Sequence, residues 1–127
     1  MSLPIGRNEA LEFLKSMPQE KSDLNHYLES EAIMRGLARK FGEDEEYWGM
    51  VGLLHDIDWS LTKNDLEKHC VRCVEILKEL GFDDDFIEAV QSHAYGMDII
   101  PSLKDKVRTK RVDDERLFAE TVAVVMY

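Results

Sequence analysis

The sequence has few of the residues that break helices and none of the alternation that marks strands. Proline occurs only at positions 4, 18 and 101, and β-branched residues do not alternate with polar ones over any stretch. Apolar residues at helical spacing predict helices at roughly 7–16, 22–41, 44–57, 65–80, 84–94 and 113–127, and long loops at about 57–64 and 95–112. We therefore expect an all-α fold, and the length of 127 residues suits one domain over 1–127.

Three further shortages exclude whole classes of protein. Cys70 and Cys73 are the only cysteines, which argues against a secreted disulfide scaffold. No apolar run reaches the length of about eighteen residues that a membrane span needs. The start of the chain lacks a basic flank followed by an apolar stretch, so no signal peptide is expected. We therefore expect a cytoplasmic protein without membrane contact.

Basic residues are scarce relative to acidic ones. The 16 Lys and Arg are outnumbered by 26 Asp and Glu, which leaves a net charge of −10. Such a charge argues against a general electrostatic surface for nucleic acid. One local exception is the run KDKVRTKR at 104–111, with five basic residues in eight. This run is typical of a solvated loop, although beside a cleft it would attract anions.

Histidine is the residue type whose placement stands out. Projection at about 100° per residue puts each histidine on the apolar face of a different predicted helix. A single inward histidine is usually a satisfied core residue, but here the pattern holds for every histidine in the chain. Inward imidazoles from packed helices can converge on a metal ion. The four are His26, His55, His69 and His93.

A carboxylate next to one of these histidines narrows the choice of metal. Asp56 directly follows His55 at the end of the apolar run GLLHDIDW, and a buried charge there must be paired or bound to a metal. Mixed imidazole and carboxylate ligands suit iron, manganese, cobalt, nickel or zinc better than magnesium. The sequence therefore predicts a divalent transition metal as cofactor.

The order of these residues resembles that of the HD-domain superfamily of metal-dependent phosphohydrolases. LNHYLESEAIMRGLA resembles the first histidine helix of the family and GLLHDIDW its His-Asp doublet, while KHCVRCVEILKELG and AVQSHAYG resemble the later histidine segments. The resemblance covers roughly residues 22–100 and is closest to small stand-alone bacterial or archaeal members. It implies a compact multi-helix bundle.

The resemblance also implies a role for each matching residue. His26, His55 and Asp56 would hold a first metal, with Asp56 able to bridge to a second. His69 and His93 would complete that second site or, with one metal, contact the substrate phosphate. Asp56, His69 and His93 are thus the implied catalytic residues, and one or two ions would activate water and neutralise phosphoryl charge. The implied substrate is a nucleotide or another small phosphate ester.

The last segment, DDERLFAETVAVVMY, departs from the family pattern. The family closes its site with an aspartate on a late helix, whereas no aspartate follows Asp114 here. Glu120 either replaces that ligand or pairs with Arg116, and the pairing is favoured because a one-residue offset turns a side chain by about 100°. This helix is apolar on nearly every side, so it packs on the core or forms a homodimer contact. The chain stops inside it, as a C-terminally shortened domain would.

Three classes of function are open on the sequence. The leading one is a metal-dependent phosphohydrolase. The second is a degenerate HD domain that binds metal and senses a ligand or holds a partner with little catalysis, and the third is a helical protein with structural histidines. For single residues near the site, we favour Cys70 and Cys73 as small core or surface residues over redox or zinc ligands. We likewise favour Asp58 as a helix-end surface residue over a support for the site or a catalytic carboxylate, and Lys63 as a solvated lysine over a phosphate contact.

Overall fold

The computed structural model of the protein describes residues 3–95 and 97–106. Within these ranges there is no strand, so the predicted all-α class is confirmed, and no helix there combines the length and the apolar character that crossing a bilayer would need. The predicted helix 113–127, with Glu120, Arg116 and the dimer contact assigned to it, lies outside the described residues. The helices are α1 (Arg7–Ser16), α2 (Lys21–Phe41), α3 (Glu45–Leu54), α4 (Trp59–Thr62), α5 (Arg72–Glu79) and α6 (Asp84–Gln91), with 3₁₀ turns at Leu66–Lys68 and Ser92–Ala94.

Helix ends are set by the residues that the sequence places there. The Asp44 carboxylate accepts a hydrogen bond from the Tyr47 amide at 3.1 Å at the start of α3, and Asp83 does the same for Phe86 at the start of α6. These caps satisfy amides that have no partner inside the helix. Gly42 ends α2 with φ of 71°, a left-handed conformation that glycine adopts without strain.

Helix α3 is the central element, and every residue from Tyr47 to Leu54 is buried. It runs antiparallel to α2 at very close range. A Cβ on Gly52 would lie 2.6 Å from the backbone oxygen of Ser30, so only glycine fits without moving one of the two backbones. Since His55 lies one turn after Gly52 and His26 one turn before Ser30, this contact brings the two histidines together.

An ion-pair network joins the first three helices on the side of α2. The buried Glu31 carboxylate accepts hydrogen bonds from Arg7 at 2.6 and 2.9 Å and from Arg35 at 3.3 Å. Arg35 also donates to Glu46 on α3 at 3.1 Å. A buried carboxylate with two guanidinium partners is satisfied, which allows Glu31 to sit in the interface.

The predicted helix 65–80 is wrong in its first half. Residues Leu66–Lys68 form one 3₁₀ turn, His69 is extended, and α5 begins only at Arg72. Cys70 has a φ of 61°, a left-handed conformation that ends any right-handed helix passing through it. The predicted loop 57–64 contains the short helix α4, and the predicted helix 84–94 finishes as a 3₁₀ turn.

Candidate metal centre

The four histidines reach one place from different kinds of element. His26 is the only one inside an α-helix, and its side chain is 46% exposed rather than inward-facing. His55 caps the end of α3, His69 follows a 3₁₀ turn, and His93 lies within the last 3₁₀ turn. The prediction of four inward histidines on four α-helices is therefore wrong, because α-helices end before His55 and His93 and one begins only after His69. These three are nevertheless buried.

The carboxylate of Asp56 lies close to the imidazole rings of all four histidines. Its Oδ2 lies 3.2 Å from Nε2 of His26 and 3.2 Å from Nε2 of His55. Its Oδ1 lies 3.2 Å from Nε2 of His69 and 3.3 Å from Nε2 of His93. Each carboxylate oxygen thus faces one pair of histidines.

Hydrogen bonds at Nδ1 of three histidine rings determine which ring nitrogen carries the proton. Nδ1 of His55 lies 2.7 Å from the Gly52 carbonyl oxygen, and Nδ1 of His93 lies 2.5 Å from that of Val90. Nδ1 of His69 lies 2.8 Å from a carboxylate oxygen of Asp58. Because these oxygens can only accept, each Nδ1 donates, and the Nε2 of a neutral ring keeps its lone pair.

If His55, His69 and His93 are all neutral, three imidazole lone pairs point at the oxygens of one carboxylate. Acceptors that face acceptors at 3.2 to 3.3 Å repel each other unless a positive charge lies between them. A proton or a metal ion can supply that charge, and the set of imidazole nitrogens and a carboxylate is one that divalent transition metals prefer. The residues present thus fit a metal ion.

Electrostatics in the metal-free site follow the same layout. Burial acts to raise the pKa of Asp56. The electrostatic attraction of His55 and the hydrogen bonds from His26 and His55 outweigh burial and hold that pKa well below its ordinary value. Burial acts to lower the pKa of His69, yet Asp56 and Asp58 raise it to about 9. Burial lowers the pKa of His93, which favours the neutral form of its ring. Without a metal ion, the protonated His69 supplies the positive charge next to Oδ1 of Asp56.

Asp58 supports the site from the interior. Its carboxylate is fully buried and accepts hydrogen bonds from Nδ1 of His69 at 2.8 Å and from the Cys73 amide at 2.9 Å. The interpretation favoured from the sequence, a surface residue at a helix end, is wrong. The available signal was weak, since it consisted of one aspartate between the apolar residues Ile57 and Trp59.

Cys70 is a neighbour of the site that the sequence did not single out as a ligand. Both cysteines are buried, as expected of core residues, but the Cys70 sulfur lies 3.2 Å from Nε2 of His93. Two groups of side chains in the described part of the chain could hold a metal ion, each with its ligand atoms within 4.8 Å of one another. They are His26, His55 and Asp56, and His69, Cys70 and His93.

Lys63 does not take part in this cluster. Its side chain is 36% exposed, and its Nζ lies 4.0 Å from a carboxylate oxygen of Glu20. A contact of this length between exposed groups contributes little to stability. The position agrees with the expectation of a solvated lysine.

Comparison with models of known protein families shows the family of the chain. The family model described as HD domain matches residues 23–121. The chain belongs to the HD-domain family. No curated protein and no solved structure matches it. HD domains are generally metal-dependent phosphohydrolases, and the histidines and the aspartate of this HD domain occur in the order on which the resemblance rested.

An open pocket of about 310 Å³ lies against one half of the HD-domain cluster. Asp56, His69 and His93 form its polar side, while the other walls are apolar. Pockets of this size and character are typical of small-molecule sites. The apolar lining residues are Trp59, Leu66, Met97, Ile99 and Ile100.

Proposed function

We propose that this HD domain is a metal-dependent phosphohydrolase that acts on a nucleotide or another small phosphate ester. The proposal rests on one observation above all. A single carboxylate presents one oxygen to each of two histidine pairs, and the neutral rings of His55, His69 and His93 would turn the lone pairs of their Nε2 atoms toward that carboxylate. This layout suits one or two ions that share Asp56 as a ligand.

Each side chain of the cluster has a distinct part in this proposal. His26, His55 and Asp56 would hold one ion, and Asp56, His69 and His93 a second. A divalent ion bound there supplies a Lewis acid and makes hydroxide available near neutral pH. The outward hydrogen bonds of His55, His69 and His93 keep the rings in the orientation and tautomer that ligation needs. His26 is partly exposed and would be the ligand on the solvent side of the cluster.

The lining of the pocket supports a proposed orientation of the substrate. A phosphate would approach the polar side at Asp56 and His93, while the remaining part of the ester would lie against the apolar walls. Trp59 offers an aromatic ring, and Leu66 and Ile99 are 39% and 46% exposed and so free to contact a ligand. An aromatic or apolar group, such as a nucleoside base, would bury these surfaces.

Turnover of a phosphate-ester panel tests the proposal directly. Purified protein is first assayed for bound metal by elemental analysis, then offered phosphomonoesters, phosphodiesters and nucleotides with added manganese. We expect release of phosphate or of a nucleoside monophosphate that a chelator stops, and higher kcat/KM for esters with an aromatic group than for aliphatic ones of equal charge. Bound metal without turnover would favour the degenerate HD domain, and absence of metal would favour structural histidines.

We also expect metal binding to release a proton from His69. The pKa of this group is raised to about 9 in the metal-free fold, so at pH 7 the ion must displace a proton to reach Nε2. The apparent affinity for the ion at this position should therefore rise by up to about tenfold per pH unit from pH 7 toward pH 9. Calorimetric titration in buffers of different ionisation enthalpy measures the proton released.

The same shift sets the sign of the stability change in the metal-free protein. A histidine whose pKa rises on folding stabilises the fold fully below its unfolded pKa, and this contribution is lost as pH rises through about 9. The Tm of the metal-free protein should fall over this interval relative to a His69→Gln variant. Proton release that is equal in wild type and His69→Gln would contradict the assignment.

A further inference from the structure

Cys70 has a backbone conformation that residues with a Cβ seldom adopt. Its φ of 61° is the one left-handed value among the described non-glycine residues, and side chains disfavour this region because Cβ crowds the backbone. The Gln91 amide holds the segment in place by donating to the Cys70 carbonyl oxygen at 2.8 Å. Such strained positions cluster at functional sites.

The consequence of this conformation is the direction of the thiol. The Cys70 sulfur is fully buried and lies 3.2 Å from Nε2 of His93, the nitrogen whose lone pair faces Asp56. In the metal-free protein the thiol can donate its hydrogen to that lone pair. A cation that replaces this hydrogen would find the sulfur, the His93 nitrogen and the His69 nitrogen within 4.8 Å of one another.

Cys73 shows what a cysteine with a packing role looks like in the same segment. It is equally buried, yet it belongs to neither group of candidate ligands in the described part of the chain. Its backbone amide, not its sulfur, contacts the site by donating to Asp58. The two cysteines therefore share their environment but differ in the direction of the sulfur.

We propose that Cys70 is a thiolate ligand, together with His69 and His93, for the ion in this half of the centre. The inference rests on the proposed metal centre and adds the kind of ion that each half takes. Thiolate and imidazole ligands select zinc and similar borderline or soft ions. The half formed by His26, His55 and Asp56 has nitrogen and oxygen ligands alone and suits manganese or iron. On binding, the thiol proton passes to solvent and a sulfur–metal bond takes its place.

Cobalt substitution tests the thiolate ligand by spectroscopy and needs no activity. The full chain is stripped of metal and titrated with Co²⁺, and the near-ultraviolet absorption is followed for the thiolate-to-cobalt charge-transfer band. We expect the band in wild type and in Cys73→Ser, which makes the same chemical change at an equally buried site. Cys70→Ser should lack the band and bind Zn²⁺ at least about tenfold more weakly, while its Mn²⁺ affinity is retained.

Each other outcome overturns a defined part of the proposal. Cobalt bound to wild type without a charge-transfer band excludes the thiolate ligand and leaves the phosphohydrolase proposal standing. A band that Cys70→Ser retains, or that Cys73→Ser loses, excludes Cys70 as the thiolate ligand and also leaves the phosphohydrolase proposal standing. Failure of wild type to bind any of the three ions overturns both proposals. Because the wild-type spectrum decides the first case, the test holds even if Cys70→Ser does not fold.

Discussion

Asp56→Asn should lose metal and phosphate release together, with the rate falling by at least about a thousandfold. The asparagine side chain has one acceptor oxygen and one amide group, so only one of the two histidine pairs can still face an oxygen. The amide donates a hydrogen bond to the other pair and takes the place of the cation there. The change removes a negative charge and the shared ligand in one step without changing the side-chain volume.

Elemental analysis after dialysis and a phosphate-release assay measure the two effects on one sample. Far-ultraviolet circular dichroism should show the helix content of wild type, because Asp56 caps no helix. Asp65→Asn is the matched control, since Asp65 is exposed and lies in the loop beside the pocket. Equal activity in Asp56→Asn and wild type would show that another site, or a contaminant, is responsible.

Asp58→Asn should weaken metal binding by about 10- to 100-fold and also destabilise the fold by about 1–3 kcal/mol. The Asp58 carboxylate accepts from two fixed donors, Nδ1 of His69 and the Cys73 amide. An asparagine offers an oxygen to one of them and an NH₂ group to the other, so one buried donor is left facing a donor. His69 then loses its orientation, or α5 loses its capping partner.

Metal affinity and thermal unfolding separate this role from that of a ligand. Asp58→Asn should keep some metal and some activity and regain activity at high metal concentration, whereas Asp56→Asn should regain none. The KM for the ester should change less than kcat, since Asp58 does not line the pocket. Wild-type metal affinity in Asp58→Asn would contradict a positioning role.

The helices around the core could be predicted because their determinants are local. Helical spacing of apolar residues and the glycine at position 42 predict α1, α2 and the start of α3 to within a few residues. The failure at 65–80 has a different origin. Composition gives no sign that Cys70 will adopt a left-handed φ, because the contacts that hold it there, such as the one from Gln91, come from distant parts of the chain.

The structure brings the predicted site residues together, but on elements other than the predicted ones. Residues His69 and His93 were assigned by helical projection, which fails where the backbone leaves the α-helix, yet they come together with Asp56. Their order along the chain indicated the family, and the order does not depend on the local conformation. Asp58 and Cys70 were considered but not favoured as site residues, because their buried partners are visible only after folding.

Because α2 and α3 approach each other closely at Gly52, a substitution at this position should disturb the candidate site although glycine has no side chain. Gly52 has no side chain that could act as a ligand, but any Cβ there would meet the Ser30 backbone at 2.6 Å and push apart the two helices that carry His26 and His55. A mutational scan scored by turnover would rank this glycine with the ligands, and one scored by abundance would rank it with the core. The absence of a side chain at position 52 thus sets the distance between His26 and His55 in the candidate metal centre.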